Sequence, residues 1–181
     1  MKKILLAISA LLFCISLHAR VRVDVQCAAG VTIKSIQAPG FSTVTTPAKA
    51  VDNVSRAVLI SGNLNAQWSK FEFSFIPEKS GHIVLRFHTP GARNAANLKP
   101  VRLDDVQASG ATLLNGSFEL MHNRRLTNWK IGAKGRIITG EKAFEGQQCA
   151  EVIFNSGMAI QDIIVTEGEK VTVSFMVKPA E

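Results

Sequence analysis

The chain has 181 residues, a formal net charge of +7, two tryptophans and no tyrosine. Its lysines and arginines are scattered rather than gathered into a tract, which excludes a charge-driven nucleic-acid binder. The three cysteines lack the neighbouring Cys or His spacing of a zinc site, which makes a zinc-dependent function a poor reading.

Residues 1–19 carry Lys2 and Lys3, an apolar run from Ile4 to Leu17, and the small residue Ala19 after His18. The run is shorter than the roughly 20 residues that cross a bilayer, so the segment predicts a secretory signal peptide and no membrane span. A lipoprotein signal at Cys14 is the weaker alternative, because bulky Phe13 stands where a small residue is wanted. The expected location is secreted or periplasmic, and residues 20–181 form a chain of one-domain size. Of the cysteines, Cys27 and Cys149 remain; in an oxidising compartment they either bridge or stay as two buried thiols, and spacing does not decide.

From Arg20 onward, apolar residues alternate with polar ones in short runs: Val21-Val23-Val25, Phe71-Phe73-Phe75, Ile83-Leu85-Phe87, Val152-Phe154 and Val171-Val173-Phe175. This is the period of strands with one buried face, and no stretch sustains a helical period, so the expected class is all-β, an antiparallel β-sandwich. Pro77 to Gly81 and Glu167 to Glu169 each sit between two such runs and predict hairpin loops. Residues 38–53 and 88–100 read as longer loops, where a rigid sandwich commonly carries binding function.

The middle of the chain holds the most specific pattern. Val-Arg-Leu-Asp-Asp-Val (101–106) and Leu-Asn-Gly-Ser-Phe-Glu (114–119) resemble the closing and opening strands of secreted carbohydrate-binding modules of the family 4/9 type, a jelly roll with a galactose-binding-like fold. After Glu119 the chain resembles the first half of such a module: Asn128-Trp129, then 143–154, 159–165 and 169–178. The remaining strands stand in front, in 21–26, the Trp68-led 67–75, 81–87 and 101–106. The resemblance therefore implies one circularly permuted domain with halves 20–108 and 109–181, in which 169–178 pairs into the sheet that contains 21–26. Two truncated modules, or a swapped dimer in place of a monomer, are the alternatives.

The resemblance also implies a structural calcium at the strand junction, with Asp104, Asp105, Asn115 and Glu119 as candidate ligands, a hard cation wanting six to eight oxygens. Strand alternation sends adjacent Asp104 and Asp105 to opposite faces, leaving one of them as a ligand. Trp68, Arg93, Asn94, Arg124 and Gln161 are the candidate ligand-binding residues, with Arg125 beside them; Gln161 corresponds to a position on the ligand-facing sheet in such modules. Trp129 reads as core. His82, His88 and His122 read as surface or loop residues. No catalytic residues are expected, because no second acidic pair flanks a cleft and no Gly-x-Ser-x-Gly elbow occurs. The expected function is a secreted, non-catalytic module recognising a polysaccharide or cell-surface glycan. The alternative is an exported structural or protein-interaction sandwich without sugar binding, or a fragment of a larger glycan-active protein.

Overall fold

The computed structural model describes residues 19–28, 30–39, 42–46, 57–91, 99–123, 125–140, 142–154 and 156–180. The strands in chain order are β1 (Arg20–Cys27), β2 (Ile33–Gln37), β3 (Ser42–Thr46), β4 (Ala57–Asn63), β5 (Ser69–Pro77), β6 (Gly81–His88), β7 (Val101–Ser109) and β8 (Ala111–Thr112). They continue with β9 (Met121–His122), β10 (Arg125–Leu126), β11 (Lys130–Ile131), β12 (Arg136–Thr139), β13 (Gln148–Val152), β14 (Ala159–Val165) and β15 (Val171–Pro179). No helix occurs among the described residues, and the strand pairings are antiparallel.

Two sheets pack face to face. The first runs β11-β14-β6-β1-β4-β3, with β8 also on β14; the second runs β12-β13-β7-β15-β5-β2. The core forms because alternate residues of each strand point inward: Val21, Val23 and Val25 from β1 and Ile83, Leu85 and Phe87 from β6 meet Phe73, Phe75, Val173 and Phe175 of the facing sheet. Phe87 and Phe175 pack edge to face across the gap, centroids 5.2 Å apart. Each such fully buried side chain contributes about 1.5–3 kcal/mol of burial free energy, so alternation is what drives the two sheets together.

Each main sheet draws strands from both sides of Ser109. In the first, β6 lies between β1 and β14; in the second, β15 lies between β5 and β7. One expectation is corrected: 171–179 does not join the sheet of 20–27, because β15 and β1 belong to opposite sheets. A second correction concerns the short connections. Both 77–81 and 167–169 carry the chain from one sheet to the other, so they are arches and not hairpins. The arches brace one another, Gly168 N donating to Pro77 O at 2.9 Å and Glu167 N to the Ser80 hydroxyl at 2.9 Å. Of the region read as a loop over 38–53, residues 42–46 form edge strand β3. The expected signal peptide, up to His18, lies outside the described residues. No helix among the described residues is long and apolar enough to cross a membrane.

Candidate functional site

The junction between β7 and β9 is built around a bulge. Opposite β15 the register slips between Ser174 and Met176, so β7 carries one residue too many, and Asp105 takes it up with a left-handed φ of 45°. The slip alters the expected alternation: Leu103 and Val106 point into the core, and neither Asp104 nor Asp105 does. Asp105 turns sideways to accept a hydrogen bond from Gln107 Nε2 at 2.6 Å.

The Asn115–Glu119 motif is a turn in which Asn115, Gly116, Phe118 and Glu119 each have a task. Asn115 (φ 54°) accepts from Leu120 N at 2.9 Å through Oδ1 and donates to Leu120 O and Thr127 O at 3.0 and 2.9 Å through Nδ2. Gly116 lies so close to β7 that a Cβ there would meet Val106 O at 1.7 Å, which no other residue type allows. Phe118 (φ 59°) is fully buried against Trp129, ring centroids 4.9 Å apart. Trp129 is the core residue the sequence predicts, and its indole N–H is satisfied by Leu114 O and Asn115 O at 3.1 and 2.9 Å.

Asp104 and Glu119 grip the 142–148 segment, which crosses the outer face of the second sheet. Asp104 Oδ2 accepts from Phe144 N at 2.8 Å and Glu145 N at 3.2 Å, and its Oδ1 from Asp105 N at 2.8 Å. Glu119 Oε1 accepts from Gln147 N and Gln148 N, both at 2.7 Å. Burial pushes the Asp104 carboxyl up to about 6, against the opposing pull of its three amide donors. Cys149 lies under the same segment, its thiol near Lys142 O at 3.7 Å; burial and the Asp104 charge push it up to about 11. Cys27 belongs to the core between the sheets, whereas Cys149 faces outward, and the two are not bridged.

As placed, the four expected calcium ligands do not fit a calcium ion. Both oxygens of Asp104 and Oε1 of Glu119 accept from backbone amides, which occupy positions a cation would take, while Asp105 and Asn115 are engaged elsewhere. Among the described residues no three His, Cys, Asp or Glu side chains converge on one point.

Of the expected ligand-binding residues, Trp68 and Gln161 fall among the described residues, and they belong to opposite sheets. Trp68 stands part-exposed at the start of β5, with the ring of Phe144 edge-on at 5.8 Å and Lys178 Nζ 5.1 Å from its centroid. Gln161 is a correction. It is 5% exposed on the core-facing side of β14, and its amide is consumed by one backbone unit, Nε2 donating to Leu114 O at 2.9 Å and Oε1 accepting from Leu114 N at 2.8 Å. Buried and held to Leu114, it presents no surface to a ligand. Arg93, Asn94 and Arg124 lie outside the described residues, and Arg125 is exposed on β10.

A further correction concerns His88, which is buried on the outer face of the first sheet rather than exposed. Its Nδ1 lies 2.8 Å from Thr89 O and its Nε2 3.1 Å from Asp24 Oδ2, while Asp24 Oδ1 accepts from Arg22 Nε at 2.8 Å. Burial alone would raise the Asp24 carboxyl, but the hydrogen bonds from His88 and Arg22 and their charges outweigh it and hold the group below its ordinary range. His82 and His122 are exposed, as the sequence suggests.

Comparison of the chain with protein-family models, with curated proteins and with solved structures finds no match.

Proposed function

We propose that this chain is an exported, non-catalytic β-sandwich module that recognises a polysaccharide or cell-surface glycan through Trp68 and Phe144. The observation that carries the reading is the aromatic pair itself: Phe144 is 44% exposed and meets part-exposed Trp68 edge to face on the outer side of the second sheet. Pyranose rings present apolar C–H faces that pack on such rings, while their hydroxyls need donors, and Lys178 beside Trp68 supplies one. The resemblance of 101–106 and 114–119 to carbohydrate-binding modules supports the same reading, and the mixing of strands from both halves of the chain in each sheet is what a permuted module requires. The carboxylates of Asp104 and Glu119 are both spent on holding a loop, which favours binding over hydrolysis.

The test is a glycan array and polysaccharide pull-down on residues 20–181, with Trp68→Ala as the paired variant. Retention that the variant loses supports the proposal; retention that it keeps removes Trp68 from the site. A second reading, an exported interaction module, rests on Leu114, Leu120 and Met121, which are 50%, 62% and 41% exposed beside the β7–β9 junction. That reading is favoured when no glycan is retained.

A further inference from the structure

A groove beside the β9–β10 hairpin carries chemistry that the aromatic platform does not use. Two adjoining concavities of about 540 and 520 Å³ share Arg125 and Leu126, so the depression continues past both sides of β10. The larger has Leu126, Trp129, Ile131 and Ile137 as apolar lining, with the exposed Arg125 and Arg136 among its walls. The stretch that builds it, 121–139, contains Arg124, Arg125, Lys130, Lys134 and Arg136 and no Asp or Glu. Glu151 does not cancel this excess: it takes Arg136 at 2.8 Å and faces buried Arg102 at 4.0 Å, one carboxylate between two guanidiniums.

We infer that this groove binds an acidic polysaccharide, a chain of uronate-type sugars. The apolar lining takes the C–H faces of the rings, and the carboxylates repeated along the chain meet Arg125 and Arg136 in the wall and exposed Lys134, which lies between the lining residues Ala133 and Gly135. A depression open on both sides of β10 suits a polymer better than an isolated anion. A nucleic-acid strand would need exposed aromatic faces to stack its bases, and the groove's Trp129 is 5% exposed with its N–H already bonded. The inference shares no residue with the Trp68 platform and stands without it.

The test is titration of the protein with polygalacturonate and, in parallel, with its fully methyl-esterified form, which keeps the sugar and removes the charge. The expected result is binding of the acid form alone, weakening as salt is raised. The double variant Arg125→Glu/Lys134→Glu, with both positions exposed, lowers affinity about tenfold while the melting temperature stays within a degree or so. Equal binding of the two polymers, or unaltered affinity in the charge-reversed variant, overturns the inference. Retention on phosphatidylglycerol vesicles without binding to polygalacturonate also overturns it, and gives the basic surface to a membrane.

Discussion

Asp104→Asn separates two ways in which a buried carboxyl can serve a fold. Asp104 has no solvent exposure, and its folded value stands at about 6 against an ordinary 3.8. The native state therefore holds a proton that the unfolded chain has released anywhere between those two values. A difference of about two units corresponds to roughly 3 kcal/mol. Because the folded value is the higher one, this contribution is fully present below the unfolded value and is lost as pH rises through about 6. Asparagine cannot titrate, so the variant lacks the pH-dependent part whatever its baseline stability. Urea unfolding followed by tryptophan fluorescence, at intervals from pH 4 to 8, should find the stability of the native protein relative to Asp104→Asn growing by about 3 kcal/mol from pH 8 to pH 4. Titrations common to both proteins, Asp24 among them, cancel in that difference. Parallel curves for the two proteins would refute the reasoning, and would mean that the three amide donors, not burial, set the charge of Asp104.

Removing the charge in Glu119→Gln, which keeps a carbonyl acceptor, weakens two amide bonds to the 142–148 segment, each worth about 1–2 kcal/mol. The loop should then open about tenfold more often, and alkylation of Cys149 should accelerate while core-buried Cys27 stays unreactive, as peptide mapping would report. Asp24→Asn leaves the buried His88 ring and Arg22 without their carboxylate and should cost about 3 kcal/mol at pH 7. Since Asp24 is held below 3.8, its contribution is present above that value and fades as pH falls further, so the deficit measured by denaturant unfolding should shrink in strong acid. Chelation by EDTA, followed by added calcium, should leave the melting temperature unchanged, because the lone pairs of Asp104 and Glu119 already face amide hydrogens; a clear rise with calcium would mean that these carboxylates turn to a cation.

The sandwich was legible because Val21-Val23-Val25 or Phe71-Phe73-Phe75 has only one way to bury alternate residues. The path between the sheets was not. Pro77 to Gly81 has turn residues that serve a hairpin and an arch equally well, and the choice is made by which strands β5 and β6 find elsewhere, β15 and β14. The same limit hides the role of Asp-Asp at 104–105. Period-two alternation assigns opposite faces, but a bulge against β15 cancels it, at the point where the 115–119 turn packs onto Val106, and a one-residue slip leaves no mark in the local pattern. Asp24 and His88 are 64 residues apart, so nothing local to either marks the pair: Asp24 holds an ordinary polar position of the alternating run, between Arg22 and Gln26.

The latch and the aromatic platform are one piece of structure. Phe144 contributes its ring to Trp68 and its backbone N–H to Asp104, so the groups that hold the segment down also hold half of the platform in place. Gly146 fits this arrangement: with φ at 66° and a Cβ position only 2.4 Å from Glu119 Oε1, it lets the chain turn tightly over the carboxylate. On the proposed reading, the two acidic residues that the family resemblance assigns to calcium serve instead to hold the short loop that carries the Phe144 ring. A surface aromatic on a loose loop would lose ordering entropy on binding; one on a loop anchored by four of its own backbone amides at Asp104 and Glu119 has lost most of it on folding. On the proposed glycan-binding reading, the strand junction bears on recognition through position, by holding the segment that carries Phe144.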